Sequence, residues 1–247
     1  MNGLLATFER ELRAYFVSPL AWIILTGFLF VQGVVFGYIA WVLLGDPMSA
    51  GRVAPLSIFF GGFFFWPIML FVAPILTMRL LAEERRSGTI EMLMTAPVSE
   101  AGVVVGKYLA VVVLWLFLWL PTLVYALVLD YHGDVDWGPV ASSYLGVILI
   151  GALFLAIGLF ASSLTRNQII AAVITFAFLL LLVLSVVGAF LARDPVVQEI
   201  LGYVNVVQHM DELGRGIVDT RRLVFYLSTI GFFLFLTTRA LAARKWR

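Results

Sequence analysis

The chain has 247 residues, 62% of them hydrophobic and 13% charged, with a formal net charge of +1. Soluble domains carry roughly a quarter charged residues, so a mean hydropathy of +1.05 excludes an ordinary water-soluble fold, and no stretch outside the apolar runs could bury a core of its own. The absence of cysteine excludes disulfides, thiolate metal sites and a cysteine nucleophile, and a single membrane domain over residues 1–247 is expected.

In chain order, residues 1–19 form the first unit. Thr7 to Phe16 reads as an amphipathic helix on the inner membrane surface, with Phe8, Leu12, Tyr15 and Phe16 on one side and Glu9, Arg10, Glu11 and Arg13 on the other. The alternative is a solvated extension of the first span. Pro19 turns the chain into that span, whose apolar run is too long for a signal peptide, so no cleavage is expected. A spanning helix needs about 20 mostly apolar residues, and six runs without a charged side chain qualify: 20–44, 56–78, 108–129, 141–164, 169–191 and 223–238. Gly33 and Gly37 form a GxxxG pattern in the first, a candidate for dimer packing. Pro67 and Pro74 are expected to kink the second.

Residues 79–100, between the second and third spans, hold a polar interruption. The second helix is expected to continue through Arg79 and Glu83, Glu84, Arg85 and Arg86 until Gly88 supplies a left-handed stop. Thr89 then reads as the N-cap of a short helix carrying Ile90, Leu93 and Met94 on one face, with Glu91 near its positive end. Pro97 ends that helix, and Ser99 with Glu100 starts the next. About two turns, roughly 10 Å, would thus project an apolar face rimmed by charge, a shape suited to docking; the bland reading is a solvated loop. The nearby Ala101–Lys107 stretch is not a phosphate-binding loop, since Ala101 stands where glycine is needed and Tyr108 where Ser or Thr is needed. The chain is therefore not expected to hydrolyse ATP by itself.

Further on, the acidic stretch 130–137 has no Lys or Arg, and its His132, Asp134 and Asp136 read as a solvated loop rather than a metal site. The fourth and fifth runs are joined by a tight hairpin around Arg166 and Asn167. Within 193–222, residues 195–220 are too polar to span and too apolar to float, which suggests short re-entrant or interfacial helices. With the N-terminus inside, the inner segments hold eleven Lys and Arg (Arg10, Arg13, Arg79, Arg85, Arg86, Lys107, Arg166, Arg239, Arg244, Lys245, Arg247) against five outside (Arg52, Arg193, Arg215, Arg221, Arg222), which places both termini in the cytoplasm.

The spans contain no Asp, Glu, Lys, Arg or His at depth, which disfavours an ion-driven carrier or an ion pore. Gln32 and scattered Ser and Thr are expected to serve neighbouring helices. No nucleophile–base arrangement or carboxylate pair supports a catalytic site, and no metal ligands are expected. Any driving energy should arrive from outside the bilayer.

Residues 83–99 followed by Gly106, Lys107 and Tyr108, residues 9–19 before the first span, and residues 209–219 before the sixth together resemble the ABC-2 type permeases, specifically the compact gliding-motility and copper-processing branch. The resemblance implies an all-α integral membrane fold: six transmembrane helices, an N-terminal interfacial connecting helix, a cytoplasmic coupling helix, and outer re-entrant helices before the last span. It implies that Glu83, Glu84, Arg85, Arg86, Gly88, Thr89, Ile90, Glu91, Leu93, Met94 and Pro97 form an interface with a cytoplasmic ABC ATPase present in two copies. ATP and Mg would be bound by that partner, with no cofactor in this chain. It further implies a second permease copy, identical or related, paired through the first, second and fifth spans, in a bacterial cytoplasmic (inner) membrane, with membrane lipids as neighbours and no nucleic-acid partner. Having no sizeable outer domain, the chain would need a periplasmic accessory subunit to reach a large substrate. The expected role is ATP-driven export or extraction of a hydrophobic, lipid-like or polymeric substrate. The competing role is a membrane anchor or mechanical transducer of an ATPase complex; a passive channel or intramembrane enzyme is the outside alternative.

Overall fold

The computed structural model describes residues 2–45, 55–62, 64–88, 99–132 and 135–243. Every regular element among them is helical: α1 (Asn2–Val17), α2 (Pro19–Gly45), α3 (Pro55–Gly61), α4 (Phe65–Thr77), α5 (Ala82–Ser87), α6 (Glu100–Trp119), a 3-10 turn (Leu120–Thr122), α7 (Leu123–His132), α8 (Trp137–Leu164), α9 (Gln168–Leu191), α10 (Pro195–Val204), α11 (Val206–Gly214) and α12 (Thr220–Ala242). Six stretches are long and apolar enough to cross a membrane: Pro19–Val42, Phe65–Ser87, Glu100–His132, Trp137–Leu164, Gln168–Leu191 and Thr220–Ala242. The chain is thus an all-α integral membrane protein, and each of the six runs read from the sequence overlaps one of these stretches, the second lying further along the chain than the 56–78 expected.

Short polar side chains set most helix starts by accepting the N–H groups that a first turn leaves unpaired. Asp136 caps α8 through Gly138 N, Asn167 caps α9, Asp194 caps α10, Asn205 caps α11 and Asp219 caps α12. Pro19 opens α2, where its missing N–H is harmless.

Two spans are less regular than expected. The second begins as α3, breaks around Gly62, where a Cβ would overlap the Ile58 carbonyl oxygen, and resumes as α4. Pro67 falls in the first turn of α4 and disrupts nothing, so only Pro74 lies within the helix. Nor does α4 run unbroken to Gly88. Ser162 Oγ on α8 accepts Leu81 N–H at 3.1 Å and Ala82 N–H at 3.0 Å and donates to Met78 O at 3.1 Å. This hydroxyl takes over backbone groups at the turn of residues 78–81, and α5 starts afresh. The third span is interrupted by the turn at Pro121, where Thr122 Oγ1 donates to Trp119 O at 2.6 Å.

The core sits on α8, which is apolar on all sides and packs against α4, α6, α9, α11 and α12. Side chains of Gly151 and Gly158 would occupy the positions of the Trp115 indole and Thr77 Oγ1, so glycine there lets α6 and α4 approach. By contrast α2, α9 and α12 are buried on few of their residues and turn Phe30, Trp41, Leu181, Phe190, Leu227 and Phe235 outward, the surface a bilayer requires.

Helices α10 and α11 form the pair of short helices expected before the last span. Ser142 Oγ donates to Leu213 O at 2.6 Å, Arg222 pairs with Glu212 at 3.2 Å, and buried His209 shares a hydrogen bond of 2.9 Å between Nδ1 and the Tyr226 hydroxyl. Burial first, and then the Arg222 charge, lower the His209 pKa to about 4.

Gly158→Ala is expected to destabilise the protein by about 1–3 kcal/mol through overpacking against Thr77, measured as thermal loss of the monodisperse form in detergent. Gly37→Ala, where no other atom of the chain outside its own helix lies within 4 Å, should leave the packing within the chain unchanged. Because the folded His209 pKa lies below the unfolded value of 6.5, the unfolded chain takes up the proton first, and stability should fall as pH drops from about 6.5 towards 4. His209→Gln should flatten that part of the stability–pH curve.

Candidate functional site

The expected interfacial helix and the polar interruption meet at one end of the bundle. Packing of α1 onto α6 is close at Gly106, where a Cβ would stand 3.0 Å from Leu4 O and 3.1 Å from Thr7 Cβ. One residue on, Lys107 points inward and is 1% exposed. Its Nζ lies 2.8 Å from Glu11 Oε1 and 2.9 Å from Glu84 Oε1, and Arg10 Nη2 reaches both of those oxygens at 2.8 Å. Two cations and two carboxylates from α1, α5 and α6 thus close a charge-balanced ring around a buried ammonium. Burial alone would raise the Glu11 carboxyl, but Lys107 and Arg10 outweigh it and hold its pKa below the ordinary value.

A second tie runs from α1 to the end of α4. The Tyr15 hydroxyl donates to Leu76 O at 3.0 Å, and the Arg79 guanidinium lies 4.7 Å from the centre of the Tyr15 ring. Between the two ties is a cleft of about 370 Å³, lined by Arg10, Tyr15, Arg79, Glu83, Glu84 and Lys107 among others. It holds charges of both signs, and among the described residues no cluster of three or more His, Asp or Glu could hold a metal ion.

The expected residues divide accordingly. Arg10, Glu11 and Glu84 come together in the ring, while Glu9, Arg13, Glu83 and Arg86 are exposed and Arg85 is buried. Gly88 has φ 74°, the left-handed stop expected of it. Ser99 Oγ accepts Gly102 N–H at 3.2 Å, and Glu100 stands in the first turn of α6. Thr89, Ile90, Glu91, Leu93, Met94 and Pro97 lie outside the described residues. The segment that carries them leaves from Gly88 and returns at Ser99, its start one short helix away from the ring and its end one helical stretch before Lys107. Gly33 faces the Tyr125 hydroxyl of the same chain, and Gly37 faces open space.

One expectation is corrected. Glu11 does not share the charged outer side of α1 but lies with Thr7 and Tyr15 on its packed face, since residues four apart stack on one side of a helix and Lys107 waits beneath. Reading the sequence also missed Lys107, Tyr15, Arg79 and Ser162 as site residues. The available signal was a lysine directly after a glycine at the start of an apolar run, a position where a cation needs a reason to be.

The family model described as ABC-2 family transporter protein matches residues 26–243. No curated protein matches the chain closely enough to count as a relative.

Removing one member of a buried ionic network leaves its partners unpaired at a cost of about 3–5 kcal/mol. Lys107→Met is expected to lose stability on that scale in thermal unfolding in detergent. Adding Glu11→Gln and Glu84→Gln should restore most of it, because the repelling carboxylates go with the lysine.

Proposed function

We propose, from the premise that the chain belongs to the ABC-2 family of transporter proteins, that it is a permease subunit moved by a separate cytoplasmic ABC ATPase through residues 83–97. Permeases of this family are membrane components without a catalytic site of their own and generally work with a cytoplasmic ATPase subunit. The observation that carries the coupling reading is the Arg10–Glu11–Glu84–Lys107 ring. A push on the segment between Gly88 and Ser99 would reach α5 and α6 directly, and the ring makes α1 move with them rather than slide. Force is carried well by such a junction because buried charges tolerate only a few arrangements.

In this reading two ATPase copies serve two permease copies, the termini and the ring are cytoplasmic, and the membrane is the bacterial inner one. ATP and Mg belong to the partner. The substrate is hydrophobic, lipid-like or polymeric and is exported or extracted, a class supported by the absence of ionisable side chains in the apolar runs.

The test is to purify the tagged chain from its native host and identify what accompanies it; absence of a nucleotide-binding subunit would sink the proposal. With the partner in hand, Gly88→Val or Glu84→Lys should abolish the permease's stimulation of ATP hydrolysis while membrane insertion is retained. Unchanged stimulation would return residues 83–97 to a solvated loop. Lipid movement in reconstituted vesicles then distinguishes a transporter from a transducer that moves no solute.

A further inference from the structure

The cleft beside the ring has both room and an entrance. Tyr15, Leu80 and Lys107, all buried, make its floor, while Arg10, Glu83 and Ser87, all exposed, stand at its mouth. Its volume of about 370 Å³ falls in the range of small-molecule sites, about 300–1,000 Å³.

Two of its charges are not spent. The ring pairs Arg10 and Lys107 with Glu11 and Glu84. Arg79, between α4 and α5, and Glu83, in the first turn of α5, have no ion-pair partner among the described residues. The Arg79 guanidinium rests 4.7 Å from the centre of the Tyr15 ring, and both charges act on the Tyr15 hydroxyl, which gathers them around the same phenol.

The chemistry narrows the ligand. A simple anion at Arg79 would also meet Glu83 and the carboxylates of the ring, and a simple cation at Glu83 would also meet Arg79 and the cations of the ring. Each would be repelled by half of the lining. A dipolar ligand matches both charges. A guanidinium favours a forked oxyanion such as phosphate. The Glu83 carboxylate only accepts, so it calls for a cation with N–H donors. A quaternary ammonium needs open aromatic faces instead, and Tyr15, the aromatic residue of the described lining, already carries Arg79.

Phosphate joined to a primary ammonium is the head of an aminophospholipid, and the cleft lies at the depth of such heads. Arg79 directly follows the apolar run 56–78, Lys107 directly precedes the run 108–129, and five of the eight residues from Arg79 to Arg86 are charged. Charges at that density leave the hydrocarbon. Nearby, the half-exposed Trp22 donates its indole N–H to Phe16 O at 2.9 Å, the placement of an aromatic anchor at a membrane–water boundary.

We infer that the cleft between α1 and α5 is a phospholipid headgroup site, with the phosphate on Arg79 and a primary ammonium on Glu83. The site needs no ATPase partner, so it stands or falls separately from coupling through residues 83–97.

The experiment is native mass spectrometry of the delipidated full chain in a maltoside detergent, offered equimolar phosphatidylethanolamine, phosphatidylcholine and phosphatidylglycerol with identical oleoyl tails. The first lipid bound should be phosphatidylethanolamine, by about fivefold over phosphatidylcholine, the upper worth of an ion pair at an exposed carboxylate. Glu83→Ala should erase that preference, and Arg79→Gln should lower occupancy by all three lipids. Because Glu83 is exposed, its variant decides the matter even where Arg79→Gln loses the fold. Equal binding of the three lipids, stronger binding of phosphatidylglycerol, or a preference that survives Glu83→Ala overturns the proposal. Displacement by tail-free glycerophosphoethanolamine at equal concentration also overturns it, by making the ligand a soluble phosphodiester.

Discussion

A buried lysine cannot stay charged in an apolar bundle without partners, and Lys107 draws one end of the structure around itself on that account. Glu11 must come from α1, which turns that helix so that Thr7, Glu11 and Tyr15 face inward. Glu84 must come from α5, which requires the break after α4 that Ser162 stabilises. Gly106 has to be small so that α1 can approach near enough for the 2.8 Å contact. One electrostatic requirement therefore fixes the relation of three helices and of both anchor points of residues 89–98.

The rest of the bundle obeys a different constraint. Without water in the bilayer there is little hydrophobic drive between spans, so close packing has to hold them. Helix α8 meets this with glycines opposite bulky partners, Trp115 of α6 and Thr77 of α4. The helices around it are buried on one side and apolar on the other, as lipid neighbours demand. At the opposite end, α10 and α11 rely on capping carboxylates and amides, on the Arg222–Glu212 pair and on neutral His209. The two ends differ in how their charges are held: a ring around a buried lysine at one, more exposed ion pairs beside a buried imidazole at the other.

The hold of the helices on one another differs along the bundle. The ring ties α1, α5 and α6 together. Helix α2, attached through an aromatic stripe with an unpaired amide at its centre, has the weaker hold on its neighbours.

The number of spans, the helical first segment, the pair of short helices before the last span and the stop at Gly88 and start at Ser99 were legible in the sequence, because each rests on local chemistry: hydrocarbon thickness sets run length, and capping or left-handed residues act within a turn. The membership of Glu11, Glu84 and Lys107 in one ring was not legible, nor were the break at 78–81 and the unpaired donors of Gln32 and Trp119. Each depends on residues about 20 to 95 positions apart along the chain, which the packing of the helices brings together or leaves without a partner. Periodicity assigned Glu11 to the polar side of its helix; only the placement of α1 against α6 made it the counter-charge of a buried lysine.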